Sequence, residues 1–370
     1  MEKRNIPKLG VTTSLLGFGC MRFPTTATGE IDEVLATKML DMAYEAGVNY
    51  YDTAYPYHGG ESEPFLGRWL DTKERSTYYL ATKLPVWEIH SLDDAKAMFE
   101  KQLTRLNKDY VDFYLLHALN KERFDAMVEL GVVDYFAGLK KTGVIRNYGF
   151  SFHDSYEAFE KIITYRDWDF CQIQYNYMDV DEQAGDRGYA LAEKLNVPLV
   201  IMEPIKGGSL SKLPEEVRDI LVDKDKSDSS YALRFVASRP NVMVVLSGMS
   251  NLSHVEDNLA TFENFVPFSE EEERMIATLR DMMRKRVRNG CTGCRYCMPC
   301  PAGVDIPGNF RIWNQANVYN NRGVVAWDYD SIKENHGFAD VCVKCGLCET
   351  KCPQKLSIRD DLVKVTEYFA

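Results

Sequence analysis

The chain has 370 residues, more than one ordinary domain of about 150, which leaves room for a large domain and a small one. With 45% hydrophobic and 27% charged residues it is an ordinary globular sequence, which excludes a disordered or fibrous protein. Its 44 basic and 55 acidic side chains give a net charge of −11, which argues against a nucleic-acid groove. We therefore expect small molecules or proteins as partners, and neither nucleic acid nor a membrane.

The N-terminal segment MEKRNIPKLG is charged and no apolar signal segment follows it, and no apolar run reaches the length of about 18 residues that a membrane span needs. These features predict a cytoplasmic protein. Cysteine usage agrees with a reducing compartment, because eight of the ten cysteines lie between Cys291 and Cys352, where they indicate metal ligands and not disulfides.

In chain order, eight short apolar segments alternate with helical patterns. The predicted strands are Leu15–Gly19, Val48–Tyr51, Tyr79–Leu84, Val111–Leu116, Ile145–Ser151, Phe170–Tyr175, Pro198–Met202 and Val242–Leu246. They are rich in Val, Ile, Leu and Tyr and show little alternation of apolar and polar residues, as expected of parallel strands buried on both faces. Eight such units predict an α/β fold, a (β/α)8 TIM barrel.

After the eighth unit, residues 269–290 begin with acidic and end with basic side chains, as in a helix whose dipole is compensated at both ends. We interpret this helix as the connection between a barrel, residues 1–283, and a small cysteine-rich domain, residues 284–370. The basic run at its end has two interpretations that stay open, a solvated helix end or a docking patch for an acidic electron carrier. The run consists of Arg284, Lys285, Arg286 and Arg288.

Four polar residues follow predicted strands, and strand C-termini are where barrels of this kind carry their chemistry. Asp52 and Tyr57 follow the second strand, Lys83 ends the third and His117 ends the fourth. Taken singly, each has an ordinary structural explanation, such as a cap, packing or a solvated charge.

Together these residues would form a catalytic group for carbonyl reduction. That reaction needs a proton donor for the alkoxide that develops as a hydride arrives. Tyr57 can donate that proton, and a cationic Lys83 beside it favours the phenolate and lowers its pKa from about 10. Asp52 would hold the lysine charged. A neutral His117 would donate a second hydrogen bond to the substrate oxygen.

These residues and their neighbours resemble the aldo/keto reductase family over residues 6–266. The resemblance rests on short motifs: Asp52-Thr53-Ala54 with Tyr57, Thr82-Lys83, Leu115-Leu116-His117, Gly149-Phe150-Ser151, Gln172 and Asp257-Asn258. It implies an Asp/Tyr/Lys/His tetrad and NAD(P)H bound without a Rossmann motif, with the nicotinamide amide held by Ser151 and Gln172.

The same resemblance places the dinucleotide along several strand ends and the last barrel helix. The residues expected to contact it are Gly19, Cys20, Met21, Ser151, Gln172, Met202, Pro204, Ser247, Gly248, Ser250, His254, Asp257 and Asn258. Phe152 stands where the family often has Asn, and Met202-Glu203-Pro204 where it often has a stacking aromatic. Gly248 and His254 stand where many members have a basic pair for the 2′-phosphate, so the choice between NADH and NADPH stays open.

Two cysteine clusters indicate iron–sulfur chemistry. The first is Cys291-x2-Cys294-x2-Cys297-x2-Cys300-Pro, and the second is Cys342-x2-Cys345-x2-Cys348-x3-Cys352-Pro. In two-cluster ferredoxins a close triplet binds one cube and the cysteine before proline binds the other. This predicts one set of Cys291, Cys294, Cys297 and Cys352 and another of Cys342, Cys345, Cys348 and Cys300. Residues 284–370 are thus expected to form a ferredoxin-like iron–sulfur domain, and the whole chain resembles the aldo/keto reductase subgroup with a C-terminal domain of two 4Fe-4S motifs. Structural zinc, which usually takes two separated CxxC pairs, is the alternative.

Three functions follow from these features. The first is an NAD(P)H-dependent oxidoreductase that interconverts a carbonyl and an alcohol on an aldehyde, ketone or sugar, with clusters that hold structure or sense redox state. The second is an electron path from barrel to clusters that ends at ferredoxin, flavodoxin or another one-electron partner. It would need a gate such as a flavin, for which no motif is visible. The third, an electron-transfer module on an idle barrel, is disfavoured by the complete tetrad.

Overall fold

A computed structural model describes the whole chain, residues 1–370, and its largest element is a closed barrel of eight parallel strands. The chain begins with a hairpin of β1 (Lys3–Ile6) and β2 (Val11–Ser14). The barrel strands are β3 (Leu16–Gly19), β4 (Tyr50–Asp52), β5 (Tyr79–Leu84), β6 (Val111–Leu119), β7 (Ile145–Phe152), β8 (Phe170–Gln174), β9 (Leu199–Met202) and β10 (Val242–Ser247). They pair in chain order, and β10 closes on β3. The predicted TIM barrel is confirmed, with a strand at each of the eight predicted positions.

The hairpin packs against the inside of the barrel. Ile6, Leu9 and Val11 contact a buried layer that includes Tyr50, and burying such side chains removes apolar surface from water. Gly10 turns the chain with a φ of +65°, a conformation that suits glycine. The hairpin was not predicted, because its strands have only four residues each and a proline stands between them.

Helices follow the strands as the alternating pattern predicts. They are α1 (Glu33–Glu45), α2 (Ser62–Leu70), α3 (Leu92–Leu106), α4 (Lys121–Glu129), α5 (Val132–Leu139), α6 (Tyr156–Ile163), α7 (Gly185–Lys194), α8 (Glu215–Arg218), α9 (Asp228–Ala237) and α10 (Leu252–Glu263). Several helices are preceded by a residue whose side chain accepts a hydrogen bond from a backbone amide of the first turn. Before α3 the Ser91 side chain accepts from the Asp94 amide, and before α10 the Asn251 side chain accepts from the His254 amide.

The remaining helices are α11 (Glu270–Arg284), α12 (Ile306–Val318), α13 (Ala326–Glu334), α14 (Leu347–Lys351) and α15 (Ile358–Phe369). By spatial contacts the chain divides into two units, one of residues 1–205 and 229–269 and another of residues 206–228 and 270–370. The predicted boundary after residue 283 stays a prediction, since α11 groups here with the second unit.

The second unit has its own hydrophobic core, and the cysteines pack against it. Phe310 and Trp313 from α12 meet Leu362 and Val365 from α15, and all four side chains are buried. A separate apolar core is what allows a small segment to form a domain of its own.

The basic run at the end of α11 has structural partners in this unit. Arg286 forms an ion pair with Glu216, and its Nε donates at 3.1 Å to the backbone oxygens of Asn317 and Val318. Arg288 donates to the Asn317 side chain at 3.2 Å. These contacts anchor the end of α12, so Arg286 and Arg288 have structural partners, and the docking patch stays a prediction.

None of the helices has the length and apolar character that a membrane span requires.

Candidate active site and cluster-binding sites

The centre of the candidate active site is Lys83, which lies on β5 with its side chain fully buried. Its Nζ donates to Asp52 Oδ1 at 2.6 Å, to the Thr53 backbone oxygen at 2.8 Å and to the Tyr57 hydroxyl at 3.2 Å. An ammonium has three N–H donors, and all three have acceptors here. Three of the four residues predicted to act together are therefore in direct contact.

Electrostatics keep this lysine charged. Burial lowers the pKa of Lys83, but the Asp52 carboxylate and Tyr57 raise it by more, so the pKa lies above its ordinary value. Burial raises the pKa of Asp52, and the Lys83 ammonium opposes that effect. The ammonium is fully hydrogen-bonded, whereas the Asp52 Oδ2 atom is buried without a hydrogen-bond partner.

Tyr57 lies in a short 3-10 turn, Tyr57–Gly60, with its side chain partly exposed. Burial raises the pKa of its phenol, and the Lys83 ammonium lowers it by less, so the pKa lies above its ordinary value. The expectation that Lys83 brings this pKa down towards neutral is thus not met, because desolvation exceeds the attraction of the cation. The hydroxyl is protonated at neutral pH and can act as a proton donor.

His117 completes the group from β6, where the strand register shifts between Leu116 and Leu119. Its ring stands edge-on to the Tyr57 ring, with centroids 6.0 Å apart. Burial and the nearby Lys83 charge hold the pKa of His117 well below its usual range, so the imidazole is neutral as predicted. Its Nδ1 is buried without a hydrogen-bond partner, which leaves a polar group available to a ligand.

The two residues expected to hold the nicotinamide amide lie side by side. Ser151 on β7 is the register partner of Gln172 on β8, and both are buried. The Gln172 Nε2 donates to Met202 Sδ at 3.4 Å, but its Oε1 has no partner. The Ser151 hydroxyl accepts from the Ala118 amide at 2.7 Å. An unpartnered buried carbonyl beside a hydroxyl matches the hydrogen-bonding groups of a carboxamide. Pro204, also predicted, is buried just after β9.

The residues predicted to contact the dinucleotide near β10 and α10 lie close together in a polar segment. The Asn258 Nδ2 donates to Ser247 Oγ at 2.8 Å, which ties α10 to the end of β10. The Ser250 amide donates to His254 Nδ1 at 3.3 Å. Gly248, Ser250 and His254 are exposed and Asp257 is partly exposed, and all of them lie within this connection or on α10. Backbone amides at the start of such a helix favour an anion.

The residues predicted after β3 differ from one another in surroundings. Gly19 approaches β10 closely, since a Cβ there would lie 3.3 Å from the Ser247 backbone oxygen. Cys20 is fully buried, and burial raises the pKa of its thiol well above the usual range, so it is a packed thiol and no nucleophile. Met21 is 54% exposed.

Two groups near the site were missed from the sequence. Arg22 lies against Gly248, where a Cβ would stand 2.8 Å from the Arg22 Cγ. Its only sequence signal was its place after the first strand. Behind Lys83, the Gln102 Nε2 donates to the Lys83 backbone oxygen at 2.9 Å and to Glu63 Oε1 at 2.8 Å. Gln102 and Glu63 come from α3 and α2, so only the tertiary fold brings them together.

The eight clustered cysteines surround two cavities in the second unit. One cavity is lined by Cys291, Cys294, Cys297 and Cys352, and the other by Cys300, Cys342, Cys345 and Cys348, with Cys297 also in its wall. This grouping matches the two predicted sets, including the exchange of Cys300 and Cys352 between the sequence clusters. Assignment of these cysteines as cluster ligands stays a proposal.

The arrangement of the cysteines fits an iron–sulfur cube. The four cysteines of one predicted set line each cavity, and a cube is bound by four thiolates placed around it. Structural zinc usually takes two separated CxxC pairs.

Comparison with known proteins agrees with both parts. The family model described as the aldo/keto reductase family matches residues 15–281, and the model of a 4Fe-4S dicluster domain matches residues 290–356. The uncharacterized oxidoreductase YqkF of Bacillus subtilis is 27% identical over 314 residues, which cover 75% of this chain and 95% of that protein.

Solved structures show the same barrel. The holo form of the aldo-keto reductase AKR11C1 from Bacillus halodurans has a TM-score of 0.64 and 28% identity, over 75% of this chain and 96% of that one. An aldo-keto reductase from Klebsiella pneumoniae, solved in complex with NADPH, has a TM-score of 0.61 at 19% identity, over 76% of this chain and 96% of its own. At that identity the second match supports the fold alone.

Proposed function

The chain belongs to the aldo/keto reductase family, and from that premise we propose that it is an NAD(P)H-dependent oxidoreductase that interconverts a small carbonyl compound and its alcohol. The observation that carries this proposal is the contact of Lys83 Nζ with both Asp52 and the Tyr57 hydroxyl. A protonated phenol beside a fixed ammonium is a proton donor for an oxygen that becomes negative.

In the proposed reaction, Tyr57 gives its proton to the carbonyl oxygen in the reducing direction and removes it from the alcohol in the other. Lys83 stabilises the phenolate that Tyr57 becomes, and Asp52 holds Lys83 in place and charged. The neutral His117 donates a hydrogen bond to the same oxygen and orients it. NAD(P)H supplies the hydride when bound.

Ser151 and Gln172 would hold the nicotinamide amide, and the free Gln172 Oε1 fits a carboxamide N–H. The amides and hydroxyls around Ser247 and Ser250 would hold the phosphates at the start of α10. Arg22, beside Gly248, adds a cation at that end and supports NADPH, whose extra phosphate needs one.

We further propose two 4Fe-4S clusters in the second unit, one bound by each ring of four cysteines. The match to a dicluster domain supports this, as does the grouping of Cys300 with the second triplet. Protein purified under anaerobic conditions should contain about eight irons per chain. Stoichiometric zinc in place of iron would contradict this proposal. Dense thiolate ligands also favour the reducing cytoplasm as the compartment.

An electron path to a one-electron partner such as ferredoxin or flavodoxin is the second candidate. Cys345 is exposed beside Val343, whose side chain is 68% exposed, and Lys344 lines the same cavity. An exposed ligand with an apolar neighbour would let a partner approach the cluster closely. The two candidates differ in whether NAD(P)H reduces the clusters.

Tyr57→Phe tests the main proposal. We expect the rate of aldehyde reduction to fall by at least about a hundredfold, because a positioned general acid contributes that much or more. Dinucleotide affinity, followed by fluorescence, should stay close to wild type. Tyr55→Phe is the matched control, since Tyr55 is on the same loop but its hydroxyl accepts from Lys101 at 2.8 Å. Equal turnover in the Tyr57 variant and wild type would contradict the assignment.

A further inference from the structure

Beyond the proposed reaction, an arginine stands at the edge of the candidate active site in a contiguous wall of side chains. The Trp87 ring lies 5.1 Å from the His117 ring, centroid to centroid, and the Arg123 guanidinium lies 5.4 Å above the Trp87 ring. His117 in turn touches Tyr57. The wall therefore runs from the proposed proton donor, past an aromatic surface, to a cation.

The backbone holds this cation in place. Arg123 is in the first turn of α4, where the Asn120 side chain caps its amide at 2.8 Å. Its Nη1 donates to the Ala118 backbone oxygen at 2.8 Å, next to His117. A guanidinium has five N–H donors, so one fixed bond orients the group and leaves donors for a ligand.

Arg123 has no carboxylate partner in the structure. It forms no ion pair, whereas Lys83 is paired with Asp52. Its charge is close enough to His117 and His153 to lower the pKa of both, in each case after the larger effect of burial. Glu203 also lies near His153 and raises its pKa, so a carboxylate and the Arg123 guanidinium both act on that ring. Arg123 thus brings a positive charge without an ion-pair partner to this wall.

We propose that the natural substrate is a carbonyl compound that also carries a carboxylate, and that Arg123 binds that carboxylate. This inference rests on the proposed carbonyl reduction. The Trp87 ring, which contacts both the Arg123 guanidinium and the His117 ring, would carry the body of the substrate. Arginine suits this task because its planar fork binds a carboxylate through two parallel hydrogen bonds.

The test compares 4-carboxybenzaldehyde with methyl 4-formylbenzoate, two aldehydes of the same length of which only one has the anionic group. We expect wild type to have a kcat/KM at least about tenfold higher for the acid, because hydrogen bonds between charged groups increase affinity by about that factor. Arg123→Gln should bring the ratio of the two kcat/KM values close to one, mainly through the KM of the acid. Arg123→Lys should keep part of the preference, because it keeps the charge and loses the fork.

Lys121→Gln is the matched control, since Lys121 is a cation in the same helical turn that pairs with Asp125. It should keep the wild-type ratio. A wild-type ratio of one or less would overturn the inference, and so would a ratio that Arg123→Gln leaves unchanged.

A binding measurement separates this inference from the proposed function. The alcohol product, 4-(hydroxymethyl)benzoate, is titrated calorimetrically into wild type and Arg123→Gln holoprotein, and the dissociation constant should rise at least about tenfold in the variant. Arg123-dependent binding without turnover of either aldehyde would support the carboxylate site and contradict the reductase. Turnover of both aldehydes with equal binding by the two proteins would contradict only the carboxylate site.

Discussion

At the scale of single residues, Lys83 determines what the site can do, because one buried ammonium joins Asp52 to Tyr57. The tetrad was predictable because each member follows an apolar strand and so falls at the same end of the barrel. The roles of Arg22 and Arg123 were not predictable, because each depends on a neighbour that only the tertiary fold brings close. That neighbour is Gly248 for Arg22 and Trp87 for Arg123.

Tyr57 also leads to a pH prediction. Reduction requires the protonated phenol, so the rate should fall as pH rises through the pKa of Tyr57, which burial raises above its usual range. Because His117 is neutral throughout, kcat/KM for aldehyde reduction should stay flat between about pH 7 and 9, below the ordinary tyrosine pKa of about 10. Alcohol oxidation, which needs the phenolate, should increase with pH over the same range.

The measurement is a pair of anaerobic pH profiles of kcat/KM, one for each direction. A descending limb for reduction centred below about pH 8 would show that the Lys83 charge outweighs burial at Tyr57, and would contradict the conclusion that burial is the larger of the two effects.

At the scale of elements, α2 and α3 support the strand that carries Lys83. They meet at Gly67, where a Cβ would lie 2.5 Å from the Leu106 backbone oxygen. The same helices supply Glu63 and Gln102, and Gln102 binds the Lys83 backbone. The eight strands were predictable because continuous apolar segments indicate burial on both faces, whereas this helix contact leaves no periodic signal in the sequence.

Gly67→Ala should therefore lower the free energy of unfolding by about 1–3 kcal/mol, as overpacking does, and should reduce activity through displacement of Gln102. Gly138→Ala is the control, because Gly138 lies in α5 and a Cβ at that position would have no atom within 4 Å. That change should be neutral or stabilising by up to about 1 kcal/mol. Chemical denaturation of both variants measures the difference, and equal effects would contradict the close helix contact.

At the scale of the whole molecule, the chain combines an aldo/keto reductase barrel with a 4Fe-4S dicluster domain. The grouping of the cysteines around two cavities was predictable from their spacing and from the cysteine before each proline. The assignment of residues 206–228 and of α11 to the second unit was not, because such grouping depends on spatial contacts and not on sequence order.

In the proposed function the barrel reduces a carbonyl by itself, so that one NADPH, one proton and one aldehyde give one NADP⁺ and one alcohol. An anaerobic single-turnover experiment tests it, in which cluster-loaded protein is mixed first with one equivalent of NADPH and then with aldehyde, while cluster absorbance and alcohol are followed. We predict one alcohol per NADPH consumed and constant cluster absorbance throughout. Bleaching of the clusters by NADPH alone, without formation of alcohol when aldehyde is added, would contradict carbonyl reduction by the barrel and favour the electron path.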